Sequence, residues 1–278
     1  MVKSSRLSRN PPGLEISSTL RDYTPARVAL TRTGASLTTR HALEFALAHA
    51  QARDAVYSTL DVSALTAALD TRALPHLNLH SAAADRTTYL RRPDLGRTLA
   101  PASSKQLADQ FSQELSFRPE RSVVEKPATH PARTLTIILA DGLSATATNR
   151  HAIPLLDELL PLLPTFCLTP IILTEQARVA LADPIGQALG ADATIILIGE
   201  RPGLSSPDSL GAYITWAPRP GRTDAERNCV SNIRPPSVGQ AGLDYATAAQ
   251  KIAWYLSEAR RLGLTGVTLR EPTATLLP

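Results

Sequence analysis

The C-terminal half of the chain alternates short apolar runs with longer polar or amphipathic segments, a pattern typical of α/β proteins. Pro170 interrupts one of these runs, and because proline cannot donate a backbone hydrogen bond, that run is predicted to be an edge or irregular strand. The alternation predicts a Rossmann-like, largely parallel sheet that helices cover on both faces. The five predicted strands are Leu135–Ala140, Phe166–Leu173, Ala193–Ile198, Tyr213–Trp216 and Gly266–Leu269.

The pattern before this sheet is helical instead. Apolar residues recur every three or four positions from Thr38 to Leu60 and again over Val62–Leu69, which predicts two amphipathic helices. A turn is expected over Tyr89–Gly96, followed by a polar helix over Ser103–Ser116. Arg118–Arg133 contains three prolines and is predicted to be a linker.

These patterns divide the chain into three parts. Residues 1–20 have little periodicity and are predicted to be a mobile tail. Residues 21–133 form an α-rich N-terminal region and linker, and residues 134–278 form an α/β domain. An amphipathic helix over Tyr245–Leu262 is predicted near the end of that domain, with Ile252, Tyr255 and Leu256 on its apolar side.

Composition and charge exclude several classes of protein. The 278 residues carry 29 Lys and Arg against 25 Asp and Glu, and the basic residues form no run interleaved with aromatics, which argues against nucleic-acid binding. Because the chain has no uninterrupted apolar run of about 18 residues and no secretory signal at Met1–Glu15, we expect no membrane span and a cytoplasmic location. Cys167 and Cys229 are too few for a disulfide framework or a structural zinc site.

Arginine makes up nearly all of the basic residues. A GC-rich genome would produce this bias, and so would the use of arginine as a fixed fork toward carboxylates and phosphates. The sequence leaves both explanations open.

Three polar segments follow predicted strands and should meet at one edge of the sheet. Asp141-Gly142 follows the first strand, a second segment follows Leu173, and Gly199–Leu204 follows the strand that ends at Ile198. Ligands of open α/β sheets bind beyond the carboxyl ends of the strands, so these segments predict a ligand crevice. The chain has no G-x-G-x-x-G or G-x-x-x-x-G-K-[ST] motif after a strand, which argues against a dinucleotide or nucleotide ligand.

The candidate polar groups in these loops are carboxylates. The six histidines lack metal-ligand spacing and the loop serines lack a G-x-S-x-G elbow, so neither a metal site nor a hydrolase is predicted. Loop carboxylates can be solvated charges, general acids or bases, or acceptors for a ligand's amides and hydroxyls, and we favour the last role. Two glycines, at 199 and 203, flank Glu200 and would let the backbone approach a ligand closely. The carboxylates are Asp141, Glu200, Asp208, Asp224 and Glu226.

Four segments together resemble the small (light) subunit of ethanolamine ammonia-lyase: IGERPG within Ile198–Arg234, ADGLS at Ala140–Ser144, QARVALADPIG at Gln176–Gly186 and RRPDLGR at Arg91–Arg97. The resemblance extends over Thr24–Leu269 and implies an accessory subunit of a lyase that uses adenosylcobalamin to convert ethanolamine to acetaldehyde and ammonia. It also implies a large catalytic subunit as partner, no catalytic residue in this chain, and a cobalamin-binding role for residues 134–278. Residence inside a bacterial microcompartment is left open.

The resemblance assigns three cofactor contacts to residues of this chain. The three residues are Val179 in QARVAL, Glu200 in IGERPG and Cys229 in NCVSNI. Near the first of them the match is looser, because Ala177 stands where the family has glycine. From the residues alone, a core valine, a solvated glutamate and a small buried hydrophobe remain alternatives. Because the chain lacks a D-x-H-x-x-G motif, bound cobalamin is expected to stay base-on, keeping its own dimethylbenzimidazole as lower ligand.

Two other functions remain open. A freestanding α/β ligand-binding or scaffold protein could use the same crevice, and monomeric behaviour without corrinoid binding would favour it. A nucleotide-dependent enzyme would need the phosphate-loop chemistry that the chain lacks.

Overall fold

A mostly parallel sheet forms the centre of the molecule. The computed structural model describes residues 26–28, 30–117, 133–236 and 241–271. A short hairpin of β1 and β2 comes first, and the remaining described strands join one sheet. In chain order the strands are β1 (Arg32–Thr33), β2 (Ser36–Leu37), β3 (His76–His80), β4 (Arg133–Ala140), β5 (Phe166–Leu168), β6 (Ile171–Glu175), β7 (Ala193–Gly199), β8 (Leu210–Trp216) and β9 (Asn228–Ile233).

β4 and β7 lie at the centre of this sheet. The strand order is β3-β6-β4-β7-β8-β9, and β5 pairs with the first residues of β4. The pairs from β3 to β7 are parallel, whereas β8 is antiparallel to both β7 and β9. Every residue of β7 is buried, and so is β4 from Leu135 onward, as expected for strands that are covered on both faces.

Aspartate caps define where several helices begin. The side chains of Asp61, Asp85 and Asp244 accept hydrogen bonds of 2.7–3.0 Å from backbone N–H groups in the first turns of α2, α3 and α7. Gly263 ends α7 with a φ of 71°, a left-handed conformation that glycine adopts easily. The described helices are α1 (Thr39–Tyr57), α2 (Val62–Thr71), α3 (Arg86–Arg91), α4 (Pro101–Phe117), α5 (Ala145–Leu159), α6 (Ala182–Ala188) and α7 (Tyr245–Leu262).

The alternating side chains of β4 supply two apolar cores, one on each face of the sheet. Leu135, Ile137 and Leu139 pack with residues of α2, α5 and α7. Ile138 and Ala140 pack on the opposite face with residues of α4 and α6. Helices therefore cover both faces of the sheet, as the sequence predicts.

The structure confirms most of the predicted elements. The predicted helix over Tyr245–Leu262 has the bounds of α7, and the three predicted N-terminal helices correspond to α1, α2 and α4. The turn predicted over Tyr89–Gly96 overlaps the end of α3 and a 3₁₀ turn at Leu95–Arg97. The apolar runs at 135–140, 193–198 and 213–216 lie in β4, β7 and β8.

The prediction of an edge or irregular strand over Phe166–Leu173 is confirmed in its irregular form. The run is irregular, because the chain breaks into β5 and β6 at Thr169-Pro170. β5 pairs with β4 outside the main strand order, whereas β6 lies between β3 and β4 and is therefore not an edge strand. The strand β3, which the sequence analysis did not predict, covers that side of β6.

The strand predicted at Gly266–Leu269 was wrong. The side chain of Asn228 in β9 donates to the carbonyl groups of Gly266 and Leu269 at 3.2 and 2.8 Å, and it accepts from the Gly266 N–H at 2.8 Å. Gly266 has a φ of 105°, and a Cβ there would lie 2.2 Å from the carbonyl oxygen of Ala225. These contacts hold the segment as a turn against β9.

The N-terminal region contributes to the sheet as well as to the helices, because β3 pairs with β6. The division of the chain at residue 133 stays a prediction. The predicted tail at residues 1–20 and the linker residues 118–132 lie outside the described residues. Among the helices that the structure describes, none is long and apolar enough to span a membrane.

Candidate functional site

A cavity of about 410 Å³ lies beyond the carboxyl ends of β4, β6 and β7. Gly142 and Leu143 follow β4, and Arg178 and Val179 follow β6. Gly199 ends β7, and Glu200 and Arg201 follow it. The three segments predicted from the sequence therefore meet at this cavity. This is the first cavity of the crevice. Its volume is within the range of small-molecule sites.

Two loops of the first cavity meet so closely that glycine is required. The Leu143 N–H donates to the Gly199 carbonyl at 2.9 Å. A Cβ at Gly199 would lie 2.0 Å from the carbonyl oxygen of Ser144, and one at Gly142 would lie 2.3 Å from the carbonyl oxygen of Gly199. Gly203 differs, because a Cβ there would meet no atom closer than 3.9 Å. Close packing against protein backbone therefore requires glycine at position 199 and not at position 203, and the approach of these glycines to a ligand stays a prediction.

A second cavity of about 480 Å³ adjoins the first. Arg178, Val179 and Tyr213 line both cavities, so the two form one continuous crevice. Arg201 at the first cavity and Asp224 at the second are exposed. The crevice is therefore open to solvent at its rims.

Tyr89, a residue of α3, lines the first cavity. Its ring lies between two guanidinium groups, with the Cζ of Arg86 4.8 Å and the Cζ of Arg178 4.3 Å from the ring centroid. Its hydroxyl donates to the carbonyl of Ala177 at 2.9 Å. Burial raises the pKa of Tyr89, so this phenol stays neutral and acts as a fixed support.

Asp141 is structural, and the favoured role as a ligand acceptor was wrong for it. The residue is 2% exposed, and its carboxylate accepts backbone N–H groups of Gly142, Gln176 and Ala177 at 2.8–3.0 Å. Burial raises the pKa of this carboxyl, while the three N–H groups and Arg86 act in the opposite direction. Asp141 ties the end of β4 to the loop after β6.

Glu200 lies at the first cavity with its carboxylate already partly engaged. The hydroxyl of Ser231 donates to Oε1, and the backbone N–H of Asn232 lies 3.2 Å from Oε2. The residue is half-buried. Because a carboxylate offers about four acceptor sites, it retains capacity for donors of a ligand.

Val179 lies in the wall of both cavities, in a 3₁₀ turn at Val179–Leu181 that leads into α6. Its side chain also packs against the apolar core on that face, so a core role and a lining role coexist.

Cys229 does not line the two cavities but lies beside them. It pairs in register with Tyr213 of the neighbouring strand, and Tyr213 lines both cavities. Cys229 is exposed, so the alternative of a buried small hydrophobe was wrong. Neighbouring groups still desolvate its thiol, and this effect together with the charge of Glu200 raises the pKa of the thiol to about 11. The thiol is therefore neutral. Val179 and Glu200 line the first cavity together with Tyr213, and Cys229 pairs with Tyr213 across the sheet. The three residues predicted to contact the cofactor therefore lie around Tyr213.

The remaining loop carboxylates differ in their positions. Asp208 is 2.8 Å from Arg150 and 3.5 Å from Arg234, away from the two cavities. Glu226 accepts from the N–H of Thr223 and pairs with Arg222, and these contacts lower its pKa to about 2. Asp224 lines the second cavity. The acceptor hypothesis is therefore compatible with Glu200 and Asp224 alone among the five.

Sequence reasoning missed Arg178, Tyr213 and Tyr89. Arg178 directly precedes Val179, and Tyr213 begins the predicted strand Tyr213–Trp216, so both lie in segments that the sequence analysis singled out. The sequence gives no local signal for the role of Tyr89, because that role depends on contacts with residues almost ninety positions later.

Comparison with known proteins gives a consistent result along the chain. The family model of ethanolamine ammonia-lyase light chain (EutC) matches residues 15–270. The ethanolamine ammonia-lyase small subunit of Azotobacter vinelandii is 53% identical over 254 residues, which cover 91% of this chain and 87% of the relative. The small subunit of Pseudomonas aeruginosa is 49% identical, covering 91% of this chain and 86% of the relative, and that of Bradyrhizobium diazoefficiens is 49% identical, covering 93% and 92%.

Proposed function

Because the chain belongs to the ethanolamine ammonia-lyase light-chain family, we propose that it is the small subunit of an ethanolamine ammonia-lyase and helps bind adenosylcobalamin. With a large catalytic subunit as its partner, the complex would convert ethanolamine to acetaldehyde and ammonia. The observation that carries the proposal is the open crevice at the carboxyl ends of β4, β6 and β7, where Val179 and Glu200 lie.

The topology around the crevice supports a Rossmann-like description of the sheet. From β4, α5 leads to β6 on one side, and α6 then leads to β7 on the other side of β4. The winding direction therefore reverses at β4, and ligands of doubly wound sheets bind at such reversal points.

The residues of the crevice fit a corrinoid. The amide groups at the rim of a corrinoid are donors, and Glu200 offers them acceptor sites beside the half-buried Tyr213. Val179 contributes an apolar wall. Because the crevice is open, the large subunit would supply the opposite wall and exclude water. When bound, adenosylcobalamin supplies the radical chemistry, and the protein supplies position and electrostatics.

The surroundings of the crevice support a base-on cofactor. The two cavities, as the described residues line them, contain no histidine. His151, the histidine that follows the ADGLS loop, is 6% exposed, and its Nδ1 lies 2.8 Å from the hydroxyl of Tyr245. We propose that no histidine of this chain is the lower ligand; that the chain contributes no catalytic residue is what its family membership implies.

The freestanding binding or scaffold function is not favoured, because the matching relatives are named as subunits. The cytoplasm is the proposed location, and residence in a microcompartment is a further hypothesis.

Co-expression with a large subunit tests the proposed function. The two chains should co-purify as a complex, the complex should bind adenosylcobalamin and deaminate ethanolamine, and the isolated chain should do neither. A chain that stays monomeric beside the large subunit and binds no corrinoid would contradict the proposal and favour the freestanding alternative.

A further inference from the structure

The crevice is lined by cationic side chains with which no carboxylate of the described residues pairs. Arg97 lines the second cavity, Arg201 lines the first, and Arg178 lines both. Among the residues that the structure describes, none of the three forms an ion pair with a carboxylate. By contrast, Arg222, which also lines the second cavity, pairs with Glu226.

Arg178 is held in place but is poorly satisfied. Its guanidinium stacks on Tyr89, and its backbone N–H donates to the Gly96 carbonyl at 2.8 Å. Among the described residues, its Nε is buried and has no acceptor, and its Nη2 contacts the Tyr89 carbonyl at 3.4 Å. A fixed planar guanidinium with unused donors is suited to bind a phosphate, which it can contact through two parallel hydrogen bonds.

The second cavity is the better place for an anion. Arg97 is exposed at this cavity. The carbonyl of its neighbour Gly96 accepts the hydrogen bond from the Arg178 backbone N–H, so the segments that carry the two arginines adjoin. Asp224 also lines this cavity, and its carboxylate lies 3.6 Å from Nε of Arg227. The first cavity is lined by Glu200 as well as Arg201, so an anion there would meet a carboxylate.

We propose that Arg178, assisted by Arg97, binds the anionic phosphodiester in the nucleotide loop of the corrinoid at the second cavity. The inference rests on the proposed function. The two cavities would then bind different parts of the corrinoid. Glu200 accepts amide donors at the first cavity, and Arg178 and Arg97 bind the phosphate at the second. The ligand is thereby oriented along the crevice.

A thermodynamic cycle on the complex with the large subunit tests this assignment. The ligands are cobinamide, which lacks the phosphate, cobinamide phosphate, and cobalamin. Arg178→Met should weaken binding of the two phosphate-bearing ligands about 10- to 100-fold and that of cobinamide less than about threefold, since one charge-assisted contact is lost. Arg178→Lys should recover part of the loss, because it keeps the charge without the fork.

Arg97 and Arg201 provide matched exposed variants that are not expected to disturb folding. Arg97→Met should show the same selectivity for phosphate with a smaller loss, and Arg201→Met should affect the three ligands equally. An equal loss for all ligands in Arg178→Met, with or without weaker subunit association, would overturn the assignment, as would phosphate selectivity in Arg201→Met alone. If the wild-type complex binds none of the corrinoids, the proposed function fails, and the phosphate site fails with it.

Discussion

The buried ion pair between Asp183 and Arg227 should be one of the most sensitive points of the fold. Nη1 and Nη2 of Arg227 donate to the two carboxylate oxygens of Asp183 at 2.8 and 2.7 Å, and the side chains are 1% and 2% exposed. Arg227 also donates to Thr215 at 2.9 Å. Burial acts to lower the pKa of Arg227, but Asp183 more than offsets this and raises it, so the guanidinium stays charged. It joins α6 to the start of β9, beside Cys229.

Arg227→Met should destabilise the chain strongly, because it leaves the carboxylate of Asp183 buried without a counter-charge. Breaking a buried pair from one side costs about 3–5 kcal/mol. At roughly 2–4 °C per kcal/mol for a large domain, the thermal midpoint should fall by about 6–20 °C. Urea unfolding of the full chain, followed by circular dichroism, measures the loss.

Two further variants separate the buried charge from side-chain packing. The double variant Asp183→Leu with Arg227→Met should recover much of the lost stability, because no uncompensated charge remains. Arg261→Met removes an exposed pair with Glu258 and should change stability by no more than about 1 kcal/mol. If Arg227→Met were as mild as Arg261→Met, the reasoning about the buried pair would be refuted.

Three other predictions follow from the site and its surroundings. Gly199→Ala should separate the loops after β4 and β7 and abolish corrinoid binding by the complex, because the new Cβ would lie 2.0 Å from backbone. Gly203→Ala should bind normally, because its Cβ meets no atom closer than 3.9 Å. Equal affinities of the two variants would contradict this. His151 has a folded pKa below its ordinary value of 6.5, mainly through desolvation, so its contribution to stability is present above pH 6.5 and is lost as the pH falls below it. Unfolding measured from pH 8 to pH 5 should show that His151→Gln has a shallower pH dependence than wild type, and identical slopes would exclude the effect. Electron paramagnetic resonance of the cob(II)alamin complex should show no coupling to ¹⁵N-labelled histidine of the protein, and such coupling would disprove base-on binding.

The elements that the sequence predicts well are those that local pattern determines. α7 has its aspartate cap, apolar stripe and terminal glycine within one segment, and β7 is a continuous apolar run between turns. β3 and β9 were missed because neither is a continuous apolar run: three of the five residues of β3 and three of the six residues of β9 are polar. Their place in the sheet depends on pairing with β6 and β8. The strand prediction for Gly266–Leu269 was wrong for the same reason, because the side chain of Asn228, distant in sequence, hydrogen-bonds to its backbone carbonyls.

The position of the crevice was predictable because parallel strands place their carboxyl ends at one edge. The roles of single loop residues were less so. Asp141 and Glu200 both follow buried strands, yet one is closed off by three backbone N–H groups and the other lines the first cavity. That difference depends on how the loops after β4, β6 and β7 pack together, which periodicity does not encode.

Titration of the complex with adenosylcobalamin, comparing wild type with Glu200→Ala and Glu200→Gln at equal subunit stoichiometry, tests the cofactor role of the crevice most directly. Loss of a charged acceptor should weaken binding about 10- to 100-fold in Glu200→Ala, and Glu200→Gln should recover part of it through its amide oxygen. Glu158→Ala, at an exposed position of α5, should bind like wild type. Unchanged affinity in Glu200→Ala, or a loss that its thermal unfolding fully explains, would contradict the account.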